Sequence, residues 1–337
     1  MINSTLCLYI VVNIFIIALK NKLRVLILQI TDIEYVLGNK KESLEDLSKI
    51  NPDWVIDKLK DKTGIHSRHV LDKGEDEKSL VIDASKKLLS RVGQNNVDGI
   101  IHVSQSPFSR LPTSACLIQD ILGLPKNLMA FDLIQGCSGF VYGLSAASSM
   151  IYQQGLKKVL VICADTYTNY IAKQDRTNRP IFSDGAAVAL VENKGNGVVG
   201  PFAFFTDGSG GNLLALENHE GKEKLFMDGQ KVFKFSLREV PKVFNELLEK
   251  ADLEKDDIDL YIFHQASAVI LRQLKLKLNI PDEKWFQNIK NMGNTVSATI
   301  PIAIKQSIDS GLYKPNMKIM LMGFGVGLSI AGCIIRS

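Results

Sequence analysis

The sequence predicts an α/β fold in which two halves repeat one rhythm and share a site between them. Apolar runs of strand length at 97–104, 128–134, 159–164, 259–263 and 318–322 alternate with helical segments at 79–92, 141–152, 232–250 and 296–308. That alternation builds layers of strand and helix. Cys137, His264 and Asn294 each stand where a strand gives way to a helix, the edge at which α/β folds keep their chemistry. The small-residue helix after Asn294 takes the place in the second half that the helix after Cys137 takes in the first. A weak internal duplication follows, with 1–22 as an apolar extension, 23–197 as one half and 198–337 as the other.

Residues 6–19 are an apolar run broken by Asn13 and followed by Lys20, Lys22 and Arg24. Its fourteen residues fall short of the roughly 18–20 that cross a bilayer. No positive charge leads it and no small-residue cleavage site follows, so it makes a poor signal peptide. It reads as an extension or a mis-set start, with a membrane-surface anchor as the alternative. Residues 24–30 read as the first strand. The polar segment 40–62 has Ser43-Leu44-Glu45-Asp46 as a helix start and carries Trp54. An amphipathic helix at 79–92 and a strand at 97–104 follow. Leu111-Pro112-Thr113 then leads into a helix with Gln119 and Cys116, the latter read as a packing residue. After the strand 159–164, Asp175-Arg176 opens a loop, and 188–192 closes the first half. The second runs through a strand at 198–204, the helix 232–250, the strand ending at His264 and a further helix. A short strand at 285–289, the Asn294 helix and the strand 318–322 complete it.

The chain has 337 residues, 46% hydrophobic and 23% charged, the profile of an ordinary globular protein large enough for two domains or one duplicated core. A net charge of +4 suits acidic ligands but is no nucleic-acid signature. The five cysteines are scattered, with no CxxC and no histidine at ligand spacing. That argues against zinc and against a disulfide framework, and it implies a reducing, cytoplasmic compartment.

The chemistry centres on the strand 128–134 and the tight turn Gly136-Cys137-Ser138-Gly139 that enters the helix behind it. A cysteine at a helix N-terminus meets unpaired N–H groups and the positive dipole end, which favour a thiolate. The turn resembles a nucleophile elbow with sulfur in place of oxygen; the plainer alternative is a small buried hydrophobe. His264 as base and Asn294 as orienting group fit a thiolate, although each alone reads equally as structural, Asn294 as a helix N-cap. The end segment Gly323-Phe324-Gly325-Val326-Gly327-Leu328-Ser329 mimics a dinucleotide loop but leaves no room for a βαβ unit after it.

Six motifs occur in order: Gly64-Ile65-His66-Ser67-Arg68-His69, Gln135-Gly136-Cys137-Ser138-Gly139-Phe140, Ile181-Phe182-Ser183-Asp184-Gly185-Ala186, Phe263-His264-Gln265-Ala266, Gly293-Asn294-Thr295 and Gly323-Phe324-Gly325. In this set the chain resembles the β-ketoacyl-acyl-carrier-protein synthase III enzymes of the thiolase superfamily. The resemblance implies a thiolase-like, duplicated five-layered αβαβα fold and a homodimer. It implies that acyl-coenzyme A and malonyl-acyl carrier protein are the substrates, joined through an acyl-cysteine on Cys137, and that no metal or other cofactor is needed. His264 and Asn294 would serve the decarboxylation, and the backbone N–H groups of Cys137 and Val326 the oxyanion hole. Val326 stands where the family usually has glycine. Trp54 and Arg176 would contact coenzyme A. Four extra residues before Gly64 leave a packing role open for Trp54, and a solvated loop position stays open for Arg176. Two rivals stay in view, the first of them motivated by Val326, by Leu111 near the acyl pocket and by Ser267-Ala268-Val269 in place of a basic patch. One is a thiolase-fold acyltransferase or specialised ketosynthase of secondary metabolism or surface polysaccharide assembly. The other is an inactive partner subunit.

Overall fold

The computed structural model describes residues 27–336, so the apolar run at 6–19 and the first residues of the predicted opening strand lie outside it. The opening strand, β1, spans Gln29–Leu37, later than predicted. Thr31, Asp32 and Glu34 look too polar for a strand, but this one lies at a sheet edge, where Arg91 pairs with Asp32 and Glu34. A short antiparallel pair follows, β2 (Lys40–Ser43) with β3 (Ser67–Val70), and the helices α1 (Leu44–Ile50) and α2 (Ile56–Thr63) fill the connection. Ser43 and Asp46 cap α1 reciprocally. Then come α3 (Glu77–Val92), β4 (Gly99–Val103), α4 (Ser114–Ile121), β5 (Met129–Leu133), α5 (Gly139–Gln154), β6 (Lys158–Asp165) and β7 (Gly185–Glu192). The first sheet has the order β1-β7-β6-β4-β5, with β5 at the far edge.

The second half contributes β8 (Val198–Thr206), the hairpin β9 (Leu214–His219) and β10 (Lys222–Met227), α6 (Gly229–Ala251), β11 (Leu260–Phe263), α7 (Ala268–Leu278), the single turn α8 (Ile289–Met292), α9 (Thr299–Asp309), β12 (Lys318–Gly325) and β13 (Ser329–Arg336). Its sheet has the order β11-β12-β13-β8. The predicted strand at 285–289 is instead one bridge, Tyr261 to Trp285, followed by α8. Cys116 is exposed on α4, not packed.

Five layers result. Helices α3 and α4 cover the outer face of the first sheet, and α5 and α9 lie between the sheets. The face beyond the second sheet is covered by α6, with α7 packed on it. Strands β6 and β7 are covered on both faces, which explains their unbroken apolar runs. Phe140, Leu144, Ile300 and Ile304 bring the two central helices into one core with both sheets.

Behind the Cys137 strand lies a buried ionic knot. His102 on β4 is fully enclosed, with Nε2 2.8 Å from Glu77 Oε1 and Nδ1 3.7 Å from Asp132 Oδ1, an ion-pair distance and not a hydrogen bond. Burial opposes its charge, but Asp132 and Glu77 outweigh that and lift its pKa to about 9. A raised pKa adds stability that is complete below the unfolded value near 6.5 and lost as pH rises through about 9. Thermal melts from pH 6 upward should therefore show a loss on the order of 3 kcal/mol across that window. His102→Gln should flatten it.

Candidate active site

Cys137 lies in the turn between β5 and α5, two residues ahead of the helix, and is 5% exposed. The end of β12 packs directly on it. A Cβ at Gly323 would stand 2.7 Å from the Cys137 carbonyl oxygen, and one at Gly325 2.9 Å from Cys137 Sγ. Only glycine admits so close an approach. The approach brings the Val326 amide to the sulfur, beside the amide of Cys137 itself.

The expected thiolate is not the resting state. Burial pushes the Cys137 thiol up to about 12, and the charge of Asp165 adds to the shift, against the pull of those two amides. The first N–H of the helix, that of Gly139, donates to the Gly136 carbonyl at 2.7 Å. In this cavity, desolvation outweighs the two amides.

His264 follows β11, anchored by its backbone N–H on the Met322 carbonyl at 2.8 Å. Its Nδ1 lies 2.7 Å from Thr299 Oγ1, and its ring meets the Phe324 ring edge-on at 5.6 Å between centroids. Burial drives its pKa down to about 3, so the imidazole is neutral.

Asn294 is held across the seam between the halves. Its N–H donates to the Ile181 carbonyl at 2.9 Å, and its carbonyl accepts from Ser183 N–H at 2.8 Å, a bridge to Phe182. Arg68 secures that bridge by donating to the Phe182 carbonyl at 2.8 Å while paired with buried Glu42, which Arg179 also contacts. The Asn294 Oδ1 accepts the Val296 N–H at 2.8 Å. This is a local turn and not a helix N-cap, since Thr295 and Ala298 hold the cap positions of the segments that follow; the amide nitrogen, 3.4 Å from the Ala266 carbonyl, is the side chain's donor.

Cys137, His264 and Asn294 line one cavity of about 530 Å³, within the range of small-ligand sites. Exposed Lys62, Arg176 and Lys234 line it too, without a carboxylate partner among the described residues. Arg176 thus faces the cavity. Trp54 does not. It is 6% exposed, packed with Leu44, Leu47 and Leu59, and absent from the cavity lining, so its indole has no free face for a ring to stack on. A second cavity of about 330 Å³ lies beyond a wall formed by Tyr167 and Leu214, which line both. Tyr167 donates to Gln105 Oε1 at 2.5 Å, and Val326 lines the second cavity.

Among the residues that escaped the sequence reading, two brace the catalytic groups. Asp165 ends β6 and accepts from the amides of Gln105 at 2.9 Å and Ser297 at 3.1 Å, tying the first half to the turn after Asn294. A polar residue closing an apolar strand, as His264 does, is the signal that marks it. Thr299 offers no such signal.

Residues 131–221 match the family model for 3-oxoacyl-[acyl-carrier-protein] synthase III, and 248–337 match the model for its C-terminal part. The β-ketoacyl-[acyl-carrier-protein] synthase III of Lactococcus lactis is 34% identical, over 91% of this chain and 98% of its own. That of Caldanaerobacter subterraneus is 33% identical, over 87% and 92%. The crystal structure of 3-oxoacyl-[acyl-carrier-protein] synthase III from Aquifex aeolicus superposes with a TM-score of 0.86 at 32% identity, covering 92% of this chain and all of that one. With the five layers, these matches define a thiolase-like, acyl-transferring condensing enzyme. The chain belongs to the β-ketoacyl-acyl-carrier-protein synthase III family, and neither rival reading is favoured.

Proposed function

We propose that the enzyme loads an acyl group from acyl-coenzyme A onto Cys137 and condenses it with malonyl-acyl carrier protein. The observation that carries this is the enclosure of Cys137, His264 and Asn294 in one cavity, with two backbone amides at the sulfur. Sulfur attacks the thioester carbonyl, and the amides of Cys137 and Val326 take the developing oxyanion, typically worth about 3 kcal/mol per donor. The malonyl thioester then enters. His264 and Asn294 hold its carbonyl oxygen as carbon dioxide leaves, and the resulting enolate attacks the acyl carbon to give the 3-ketoacyl product. Each charge that develops meets an amide or the imidazole, so no resident metal or cofactor is required. Lys62, Arg176 and Lys234 suit the phosphates of coenzyme A and of the carrier's prosthetic arm.

We read the working form as a cytoplasmic homodimer. Among the described residues, edge strand β5 has a partner on one side only, and Leu111, Met129 and Ile134 are exposed near it. Among the described residues no helix is long and apolar enough to cross a membrane.

Intact-mass measurement after incubation with a panel of acyl-coenzyme A thioesters tests the first step. One acyl increment on the peptide carrying Cys137 is expected, followed by carbon dioxide release and a 3-ketoacyl product with malonyl-carrier protein. An increment elsewhere, or none, defeats the reading. The wall between the cavities carries a further prediction. Tyr167→Leu should join them and shift kcat/KM toward longer acyl donors by about tenfold, a methylene or two of pocket contact.

A further inference from the structure

A neutral imidazole has two ring nitrogens and one proton to place on them. In His264 the Nδ1 lies 2.7 Å from Thr299 Oγ1, and that oxygen lies 3.0 Å from the Val296 carbonyl. The hydroxyl owns a single hydrogen. Pointed at Nδ1, it leaves the imidazole proton on Nε2, and one hydrogen bond joins the three groups. Pointed at the Val296 carbonyl, it leaves Oγ1 free to accept from Nδ1–H, and two are made. His264 is 1% exposed and Thr299 2%, so solvent does not replace a bond left unmade. The second arrangement is favoured.

We propose that Thr299 is a positioning residue. It holds His264 as the Nδ1–H tautomer, so that Nε2 presents a lone pair to the cavity and takes the thiol proton of Cys137. The proposal rests on the reading of Cys137 as nucleophile. The sulfur bonds to the acyl carbon as its proton passes to Nε2. The coenzyme A sulfur leaves with the electron pair of the broken carbon–sulfur bond and is protonated by solvent. The Nε2–H so formed is the donor that the malonyl thioester oxygen meets in the second half-reaction. When the enolate carbon takes the acyl group, the Cys137 sulfur leaves with its electron pair and recovers the proton. One solvent proton is consumed per turnover, as a condensation that releases carbon dioxide requires.

Thr299→Val keeps the branched shape and removes the oxygen, and Thr299→Ser restores it. With nitrogen-15 histidine labelling, the wild type and Thr299→Ser should show a protonated Nδ1 and a bare Nε2 at His264, assigned by loss of the signals in His264→Gln. In Thr299→Val the proton should move to Nε2. Acyl-enzyme formation in a single turnover should then fall about tenfold or more, with recovery in Thr299→Ser. Carbon dioxide release from malonyl-carrier protein without an acyl donor should not fall, because in Thr299→Val the Nε2 already carries the hydrogen that the unacylated wild type lacks there. An Nε2–H in the wild type, or equal slowing of both half-reactions in Thr299→Val, overturns the proposal. Failure of the wild type to become acylated overturns the nucleophile reading instead, and the nitrogen-15 spectrum still decides the tautomer.

Discussion

Cys137→Ala should reduce acyl transfer from labelled acyl-coenzyme A to background, a loss of at least about 10⁴-fold, since nothing else in the cavity can form the thioester. Asn294→Ala should separate the half-reactions. Its side chain is oriented by the Val296 N–H, which leaves only the amide nitrogen to donate, and a donor to a ground-state thioester is not needed for acylation. The acyl-enzyme should form at near the normal rate, while carbon dioxide release falls about 10²-fold or more. Single-turnover mass spectrometry reads the first step, and release of label from carboxyl-labelled malonyl-carrier protein reads the second. Equal loss of both in Asn294→Ala would remove it from the decarboxylation.

The second large effect is on stability. Glu42→Ala should destabilise the fold by about 3–5 kcal/mol in urea melts, because it leaves the guanidinium of Arg68 buried and uncompensated with Arg179 beside it. Burial opposes ionisation of Glu42, yet the two arginines still hold its pKa below the usual value. Glu42→Gln keeps the shape and part of the hydrogen bonding and should cost less. Because Arg68 also anchors the Phe182 carbonyl that bridges to Asn294, the surviving folded Glu42→Ala protein should decarboxylate more slowly than it acylates.

The positions of Cys137, His264 and Asn294 were legible because strand-to-helix junctions leave local marks: an apolar run, then a turn residue, then small residues at helical spacing. The protonation state of Cys137 was not legible. It depends on enclosure by β12 and on Asp165 from another strand, neither visible in the turn. Trp54 misled for a similar reason. Its neighbours Leu44, Leu47 and Leu59 make a small core of their own, which the polar composition of 40–62 disguises. The first strand was placed early because alternating Asp32 and Glu34 read as loop until Arg91, far along the chain, supplied their partner. Thr299 acts through one bond to a ring 35 positions away, and such a role has no periodicity.

The Phe182–Asn294 bridge has one more implication. The nucleophile belongs to one repeat and its helpers to the other, so neither repeat produced alone would possess even partial chemistry. A lesion along their junction, remote from any substrate atom and sparing the buried Glu42–Arg68 pair, should silence turnover while circular dichroism and melting still report a sound molecule.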